Sequence, residues 1–192
     1  MQEILNAISS RRARRAINPD RPVPADTLER VLGAAHLAPS CSNNQSWRFL
    51  VLSESGALEA GQNALTGGNY WAKRAPILIA ICTNPEDDCQ LSDGRDYALF
   101  DTGMATGLLM TQASAEGLYA HPMAGFSPGK VRAAFGIEPP TIVVTVLALG
   151  YPGSTEGLSE KHLAQESAER DRKPLESVVF HNAWMPAVPH NG

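Results

Sequence analysis

The segment TIVVTVLAL (residues 141–149) anchors any fold for this chain, because all of its residues are apolar or β-branched and none is charged. Such residues favour an extended strand. Nearer the N-terminus, PILIAIC (residues 76–82) is apolar throughout, which is typical of a strand covered on both faces. WRFLVL (residues 47–52) is also strand-like. These segments predict strands at the buried centre of the protein.

Helices are expected between these strands. Residues 24–37 place apolar side chains at helical spacing, and Asp26 followed by Glu29 resembles a capped first turn. Residues 96–116 are apolar on nearly all sides, so they are predicted to form a central, buried helix. The remaining predicted elements are a short strand, 118–121, and a helix that starts at Ser127-Pro128 and runs to about Phe135.

The length of 192 residues suits one well-buried domain and is short for two. We expect a single domain over residues 1–192, with a compact core, 1–153, and a C-terminal extension, 154–192. The extension is first polar and then carries apolar residues, among them Val178-Val179-Phe180 and Trp184-Met185. An apolar tail needs a surface to cover it. It folds back on its own domain or wraps a partner subunit; the second is favoured because symmetric dimers are the commonest oligomers.

Composition argues against several classes of protein. A net charge of -4 argues against general nucleic-acid affinity. No apolar run approaches the roughly 20 residues of a membrane span, and the N-terminus lacks a signal-peptide pattern, so a cytoplasmic protein is expected. Cys41, Cys82 and Cys89 have neither metal-ligand nor disulfide-framework spacing and are expected to be reduced thiols. The five histidines show no zinc-ligand spacing, so no metal is expected.

Two arginine clusters stand out in this acidic chain: RRARR (residues 11–15), and Arg170 with Arg172 in the extension. Guanidinium groups match phosphate oxygens in a bidentate geometry. Both clusters facing one dianionic phosphate would account for the unneutralised charge. The alternative is a solvated basic face with ordinary surface pairs. Arg12 and Arg14 are expected to be the solvent-facing members.

Two segments are candidates for contacting a planar ring. APSCSNNQSW (residues 38–47) offers small polar side chains that both donate and accept hydrogen bonds. Its alternative role is a turn whose Ser and Asn residues cap their own backbone. Ala124-Gly125-Phe126 lies between a strand and a helix, where glycine lets backbone N–H groups approach a ring nitrogen. The alternative is a plain connector.

Two other chemistries have less support. Ser40, Cys41 or Ser42 could act as a nucleophile with a histidine base, but the chain has no G-x-S-x-G elbow and no evident acid to orient the base. Gly103 and Gly107 lie inside a predicted helix rather than at a strand-to-helix turn, which argues against a dinucleotide-binding domain. These glycines are expected to permit close helix packing.

With these residues the chain resembles the flavin-dependent nitroreductase family. The resemblance spans nearly the whole chain and is carried by seven segments in order: SRRARRAI, APSCSNNQSWRF, APILIAI, DTGMATGLLMTQASAEGL, PMAGF, LALGYP and RDRKPL. It implies a three-layer α+β fold with a central mixed, mostly antiparallel sheet flanked by helices. It also implies an intertwined homodimer, a C-terminal arm that extends onto the partner, and FMN at each of two sites in the subunit interface.

The resemblance also implies the residues that bind the cofactor. Arg11 and Arg172, with Arg170, would hold the phosphate, and Arg15 would approach the pyrimidine edge of the flavin. The backbone of Ala124 and Gly125 would face the flavin N5 region. The remaining members of the expected set are Arg12 and Ala13 in the first cluster, Asn69 at the pyrimidine, and Pro39, Ser40, Cys41, Asn43 and Gln45 from the neighbouring subunit.

The implied activity is an FMN-dependent oxidoreductase that uses NADH or NADPH to reduce nitroaromatic, quinone or other conjugated small-molecule electron acceptors by a ping-pong mechanism, with no catalytic side chain. Two alternatives remain: a non-enzymatic flavin-binding or regulatory protein, and a specialised flavin enzyme for dehalogenation, azoline oxidation or flavin fragmentation. Three features depart from the family pattern. Ala13 stands where Ser is common, Ser46 stands where Pro is common, and little room for a lid remains between Cys82 and Asp96.

Overall fold

Four antiparallel strands form the centre of the computed structural model, which describes residues 4–184. All three pairings between them are antiparallel, so the described sheet has no parallel pair, in contrast to the mixed sheet expected. The order across the sheet is β1-β2-β4-β3. The strands are β1 (Trp47–Leu52), β2 (Ile77–Thr83), β3 (Tyr119–Met123) and β4 (Ile142–Gly150).

Six α-helices surround this sheet in the described part of the chain. They are α1 (Asn6–Ser9), α2 (Ala25–His36), α3 (Ser55–Asn63), α4 (Ala98–Ala115), α5 (Pro128–Phe135) and α6 (Glu160–Ser167). Short 3₁₀ segments lie at Cys41–Asn43, Gly67–Arg74, Pro85–Asp87 and Leu175–Ser177. The strands and helices expected from sequence periodicity are thus confirmed. Met185, which belongs to the apolar part of the expected C-terminal extension, lies outside the described residues.

Helices cover both faces of the sheet and so give the fold three layers, which the two faces of β2 show. Alternate residues of a strand point to opposite faces. Ile77, Ile79 and Ile81 pack into a core cluster with residues of α2 and α4. The intervening residues Leu78 and Ala80 pack into a second cluster with residues of α3 and α5. Every residue of β2 is buried, as its uninterrupted apolar sequence predicted.

Helix α4 is less enclosed than its apolar sequence predicted. Ala105 and Leu109 are fully buried, whereas Leu99 and Phe100 are 52% and 60% exposed. A helix covers only the face that meets the sheet, so the opposite face needs a different surface. At Gly103 and Gly107, apart from adjacent residues and the backbone of α4 itself, no atom of the described residues lies within 4 Å of the point that a Cβ would occupy, so these glycines do not mediate close packing within the chain.

The first turn of α2 also differs from expectation. Pro24 occupies the N-cap position, and no side chain of the described residues caps the helix. Asp26 instead accepts a hydrogen bond from Arg30, 2.9 Å away. The same guanidinium binds Glu116 at 2.8 Å and so ties α2 to the end of α4.

Helix α6 brings the C-terminal extension back to the body of the protein. The Tyr70 hydroxyl accepts a 2.7 Å hydrogen bond from the backbone of Ser159, at the start of this helix. The Tyr70 ring stacks on His162, with ring centroids 5.4 Å apart. This contact places the segment that follows α6 beside the N-terminal arginines. Among residues 4–184, none of the helices has the length and apolar character needed to cross a bilayer.

Candidate cofactor site

The two arginine clusters meet around one cavity of about 450 Å³. The N-terminal wall comes from the segment between α1 and α2, and the opposite wall comes from the end of α6 and the residues after it. The arginines that line the cavity are Arg11, Arg12, Arg15, Arg170 and Arg172. Glu169 and Asp171 also line it, so five guanidinium groups face two carboxylates.

Direct hydrogen bonds hold the two walls together. Arg12 Nη2 donates to the Ala168 carbonyl at 2.6 Å, and Arg170 donates to the Arg11 carbonyl. The backbone N–H of Arg15 donates to Glu166 Oε1 at 2.6 Å. These bonds tie residues more than 150 positions apart, which sequence spacing does not reveal.

Arg12 and Arg14 are not the solvent-facing residues expected. Both are partly buried. Arg14 donates to the Glu166 carbonyl, and its Nη1 lies 3.7 Å from Glu166 Oε2, whose side chain is only 9% exposed. Glu166, which sequence analysis missed, therefore neutralises Arg14 and leaves the charges inside the cavity free for a ligand.

The charges in the cavity repel each other. Burial lowers the pKa of Arg11, and the neighbouring charges of Arg170 and Arg172 lower it further. Arginine nevertheless stays protonated in proteins. Converging permanent charges therefore favour a bound anion, and a dianionic phosphate matches the planar donors of several guanidinium groups.

Deeper in the fold, Arg15 lies against an aromatic pair. Its Cζ is 5.9 Å from the centre of the Trp71 ring, which is buried. The His121 ring centroid lies 4.6 Å from that of Trp71. His121 Nδ1 lies 3.0 Å from the Arg14 carbonyl and must carry the proton there, because a carbonyl only accepts. Trp71 Nε1 has no hydrogen-bond partner among residues 4–184.

His121 should make the stability of the protein pH-dependent. Burial lowers its pKa from 6.5 to about 4, because the charged ring would lose its hydration. Between these values the unfolded chain binds a proton that the folded chain does not, so the free energy of unfolding should fall as pH drops below 6.5. The loss should reach about 2–3 kcal/mol at pH 4.5. Urea unfolding at pH 7 and pH 4.5 measures it.

The variant His121→Asn is the matched control. The Asn amide can donate to the Arg14 carbonyl but does not titrate. We expect the variant to lose most of the destabilisation between pH 7 and pH 4.5. An unchanged pH dependence in the variant would show that other groups cause it.

The turn after β3 is held in one orientation by its carbonyl. Gly125 O accepts hydrogen bonds from Thr66 N at 3.0 Å, Thr66 Oγ1 at 2.9 Å and Asn69 Nδ2 at 2.8 Å. A Cβ at position 125 would lie 2.6 Å from Thr66 Oγ1 and 2.7 Å from Asn69 Nδ2, so it would displace the side chains that bind this carbonyl. Ala124 is exposed. The turn is thus held in place by hydrogen bonds, and Thr66 is a supporting residue that sequence analysis missed.

The loop of residues 39–46 adopts an unusual backbone conformation. Ser42, Asn43 and Gln45 all have positive φ angles, between 50° and 59°. Ser40 Oγ accepts from the Gln45 backbone N–H at 3.0 Å. The Cys41 backbone N–H donates to Asp101 Oδ2 at 2.6 Å. Within one chain the loop therefore caps its own backbone, which was the alternative interpretation of its sequence.

The cysteines correct an expectation. Cys41 and Cys89 form a disulfide, and Cys82 is a free thiol. The pairing is not evident from the sequence, because 48 residues separate the two cysteines. In the folded chain, β2 and the Pro85–Asp87 turn bring Cys89 back to the loop that carries Cys41. Burial raises the pKa of Cys82 to about 11. Asp88 lies beside the disulfide, whose sulfurs bind each other rather than a metal.

Ser46, which stands where Pro is common in the family, anchors the end of this loop. The side chain is fully buried and donates to Asp88 Oδ2 at 2.6 Å. Asp101, which holds the loop from α4, is also buried, and burial raises its pKa. Both aspartates were missed by sequence analysis. The signal available for Asp101 was that it is the one carboxylate in the interior of the predicted helix, whose ends carry Asp96 and Glu116.

The loop and the arginine cavity lie at opposite ends of α4. Cys41 is bonded to Asp101 near the start of the helix, whereas Ser10, beside the first cluster, lies 3.2 Å from Ser114 near its end. Thirteen helical residues span roughly 20 Å. One chain therefore does not bring the 39–46 loop to its own cavity, although it does bring the arginines, Trp71 and the Gly125 turn into one region.

The chain is similar to known proteins over most of its length. A model of the nitroreductase family matches residues 8–66 and 53–151. The NADH dehydrogenase of Thermus thermophilus is 28% identical over 92% of this chain and 96% of its own. The FMN reductase (NAD(P)H) of Bacillus subtilis is 25% identical over 96% of this chain and 76% of its own. A crystal structure of an oxidoreductase containing FMN is 27% identical with a TM-score of 0.81, and the match covers 96% of this chain and 95% of that one.

Proposed function

Because this chain belongs to the nitroreductase family, we propose that it is an FMN-dependent oxidoreductase using NADH or NADPH to reduce nitroaromatic, quinone or related conjugated acceptors in a ping-pong sequence. The observation that carries the proposal is the cavity where arginines from both ends of the chain converge. The T. thermophilus and B. subtilis relatives support the electron donor, and the FMN-containing structure supports the cofactor.

The residues present fit FMN. Arg11, Arg170 and Arg172 would bind its phosphate, and their mutual repulsion in the free protein is relieved when an anion enters. Arg15 lies further inside, against Trp71, where it would meet the ring system. The Gly125 turn follows the end of β3 at Met123, which lies two residues, about 7 Å, along the strand from His121. Charge at one end and open backbone at the other suit a ligand that has a phosphate and a planar ring.

Bound FMN supplies the hydride chemistry at this site. The protein binds and orients it. Arg15 would stabilise negative charge on the pyrimidine end, an electrostatic effect that is already in place before the reaction. The Gly125 turn would present backbone N–H groups to the ring. His121 is neutral near pH 7 and uses its only proton to bind the Arg14 carbonyl, so it is not available as an acid. No side chain needs to act as acid or base.

We propose a homodimer in which each site is completed by the 39–46 loop of the partner. The separation of this loop from the cavity of its own chain supports the proposal. The exposed Leu99 and Phe100 support it too, because an uncovered apolar face favours burial against a second copy. We further propose that residues 1–153 form the compact core. Residues 154–192 would form an extension whose apolar residues dock on the partner. We assign the protein to the cytoplasm, where NAD(P)H is available.

The test is the colour and mass of the purified protein. We expect a yellow protein with the mass of two chains on a sizing column, and we expect anaerobic NADH or NADPH to bleach it. Adding a quinone should then restore the colour. Colour that neither nicotinamide removes would favour a non-enzymatic flavin-binding protein. A flavin-loaded single chain would contradict the shared site.

A further inference from the structure

We propose that the Cys41–Cys89 disulfide is a redox-sensitive clamp on the cofactor site: reduction by a dithiol releases the 39–46 loop and weakens FMN binding, and reoxidation restores it. This inference rests on the proposed function, because it takes this loop to be the part of the site supplied by the partner. The disulfide joins two separate loops, one of which carries five of the expected cofactor-binding residues.

The disulfide is accessible to a reductant in the described chain. Cys41 and Cys89 are each partly exposed, and their immediate neighbours Ser42 and Asn44 are exposed. Ser42 Oγ lies 3.6 Å and Asn44 Nδ2 lies 3.7 Å from Cys89 Sγ, so polar donors surround the sulfur. By contrast, Cys82 is buried and its thiol is inert.

A dithiol reductant supplies the electrons and protons that reduction of the disulfide requires. A thiolate of the reductant attacks one sulfur of the Cys41–Cys89 bond and forms a mixed disulfide, and its second thiol resolves it. Two protein thiols form, and the reductant becomes a disulfide. Two electrons and two protons thus pass from the reductant to the protein, and oxidation of the two thiols reverses the change.

The loop depends on this bond for its shape. Positive φ angles are unfavourable for residues other than glycine, so Ser42, Asn43 and Gln45 keep them only because their surroundings hold the chain. The disulfide is the covalent part of those surroundings. After reduction, Cys41 keeps its backbone hydrogen bond to Asp101, and Ser46 keeps its bond to Asp88. Between these two anchors only hydrogen bonds such as that of the Gln45 N–H to Ser40 Oγ then hold the loop, and it can relax more easily.

A relaxed loop lowers cofactor affinity through the cost of reordering. If the loop adopts its binding conformation for only a fraction of the time, the apparent dissociation constant equals the intrinsic dissociation constant divided by that fraction. Ten-fold weaker FMN binding corresponds to a loop that is ordered about one tenth of the time. In the reducing cytoplasm the protein would thus bind FMN more weakly, and oxidation of the two thiols would raise its FMN affinity.

The experiment compares FMN affinity in the two states. FMN is removed from the purified dimer, and rebinding is followed by FMN fluorescence with and without anaerobic dithiothreitol. We expect reduction to expose two additional thiols, to raise the dissociation constant about ten-fold or more, and to speed amide hydrogen exchange in residues 39–46. Cys89→Ser should show the weaker affinity without reductant and no response to it. Cys82→Ala, which keeps the disulfide, should respond like the unmodified protein.

The outcomes separate this inference from the proposed function. Equal FMN affinity before and after verified reduction would overturn the clamp and leave the oxidoreductase intact. Failure of the oxidised protein to bind FMN would overturn both. If Cys89→Ser does not fold, the dithiothreitol comparison on the unmodified dimer decides, because it uses the same chain in both states.

Discussion

Replacing Arg172 with Ala should raise the dissociation constant for FMN about 10- to 100-fold, while the free energy of unfolding of the apoprotein changes by about 0.5 kcal/mol or less. A hydrogen bond to a charged group contributes about 1.5–3 kcal/mol, and one guanidinium makes such bonds to a phosphate. Arg172 is exposed, and it donates a local hydrogen bond to the Asp171 carbonyl at 2.6 Å. Removing it should therefore affect the ligand and spare the fold.

The measurement is FMN fluorescence titration of the apoprotein, paired with urea unfolding. Arg132→Ala is the matched control, because Arg132 is an exposed arginine in the last turn of α5, outside the cavity. It should bind FMN normally. Arg172→Lys should fall between the two, because an ammonium keeps the charge but lacks the planar fork. Full FMN retention in Arg172→Ala would show that the phosphate lies elsewhere.

Replacing Gly153 with Ala should destabilise this chain strongly for the addition of a single methyl group. The added Cβ would overlap Asn18 N and lie 2.6 Å from Asn18 Cα, and both are backbone atoms that cannot rotate away. Gly153 N–H also donates to the Ala16 carbonyl at 2.7 Å, so the overlap falls on the segment that leads out of the first arginine cluster. Overpacking of this kind costs about 1–3 kcal/mol, and we expect the upper end.

The same change should weaken FMN binding, because pushing residues 16–18 away displaces Arg15 from Trp71. Urea unfolding and FMN titration measure the two effects. Gly129→Ala is the control, because nothing lies within 4 Å of a Cβ there and the residue sits in α5. Alanine should leave that helix equally stable or up to about 1 kcal/mol more stable. If Gly153→Ala is as stable as this control, residues 16–18 shift without cost and are not tightly packed.

Much of the candidate site was visible before the structure. The arginines at positions 11–15 and 170–172 stood out because permanent positive charge is unusual in an acidic chain, and the structure brings them around one cavity. Gly125 was singled out from its place between a strand and a helix as a position where backbone N–H groups could approach a ring, and that role stays a prediction. The residues that hold these groups were not foreseen. Thr66 and Glu166 act through contacts with distant parts of the chain, and no local pattern marks such contacts.

Local pattern alone predicted the four strands and helices α2, α4 and α5, because the alternation of a strand and the period of a helix are properties of neighbouring residues. It did not predict α3 or α6. It was, however, sufficient to find the charges. Tertiary structure decided which of those charges remain free, since Glu166 neutralises Arg14 from the far end of the chain. It likewise decided that Cys41 meets Cys89 and that one face of α4 stays uncovered. Pairing and burial depend on distances in space, and residues far apart in sequence acquire those distances only when the whole chain folds.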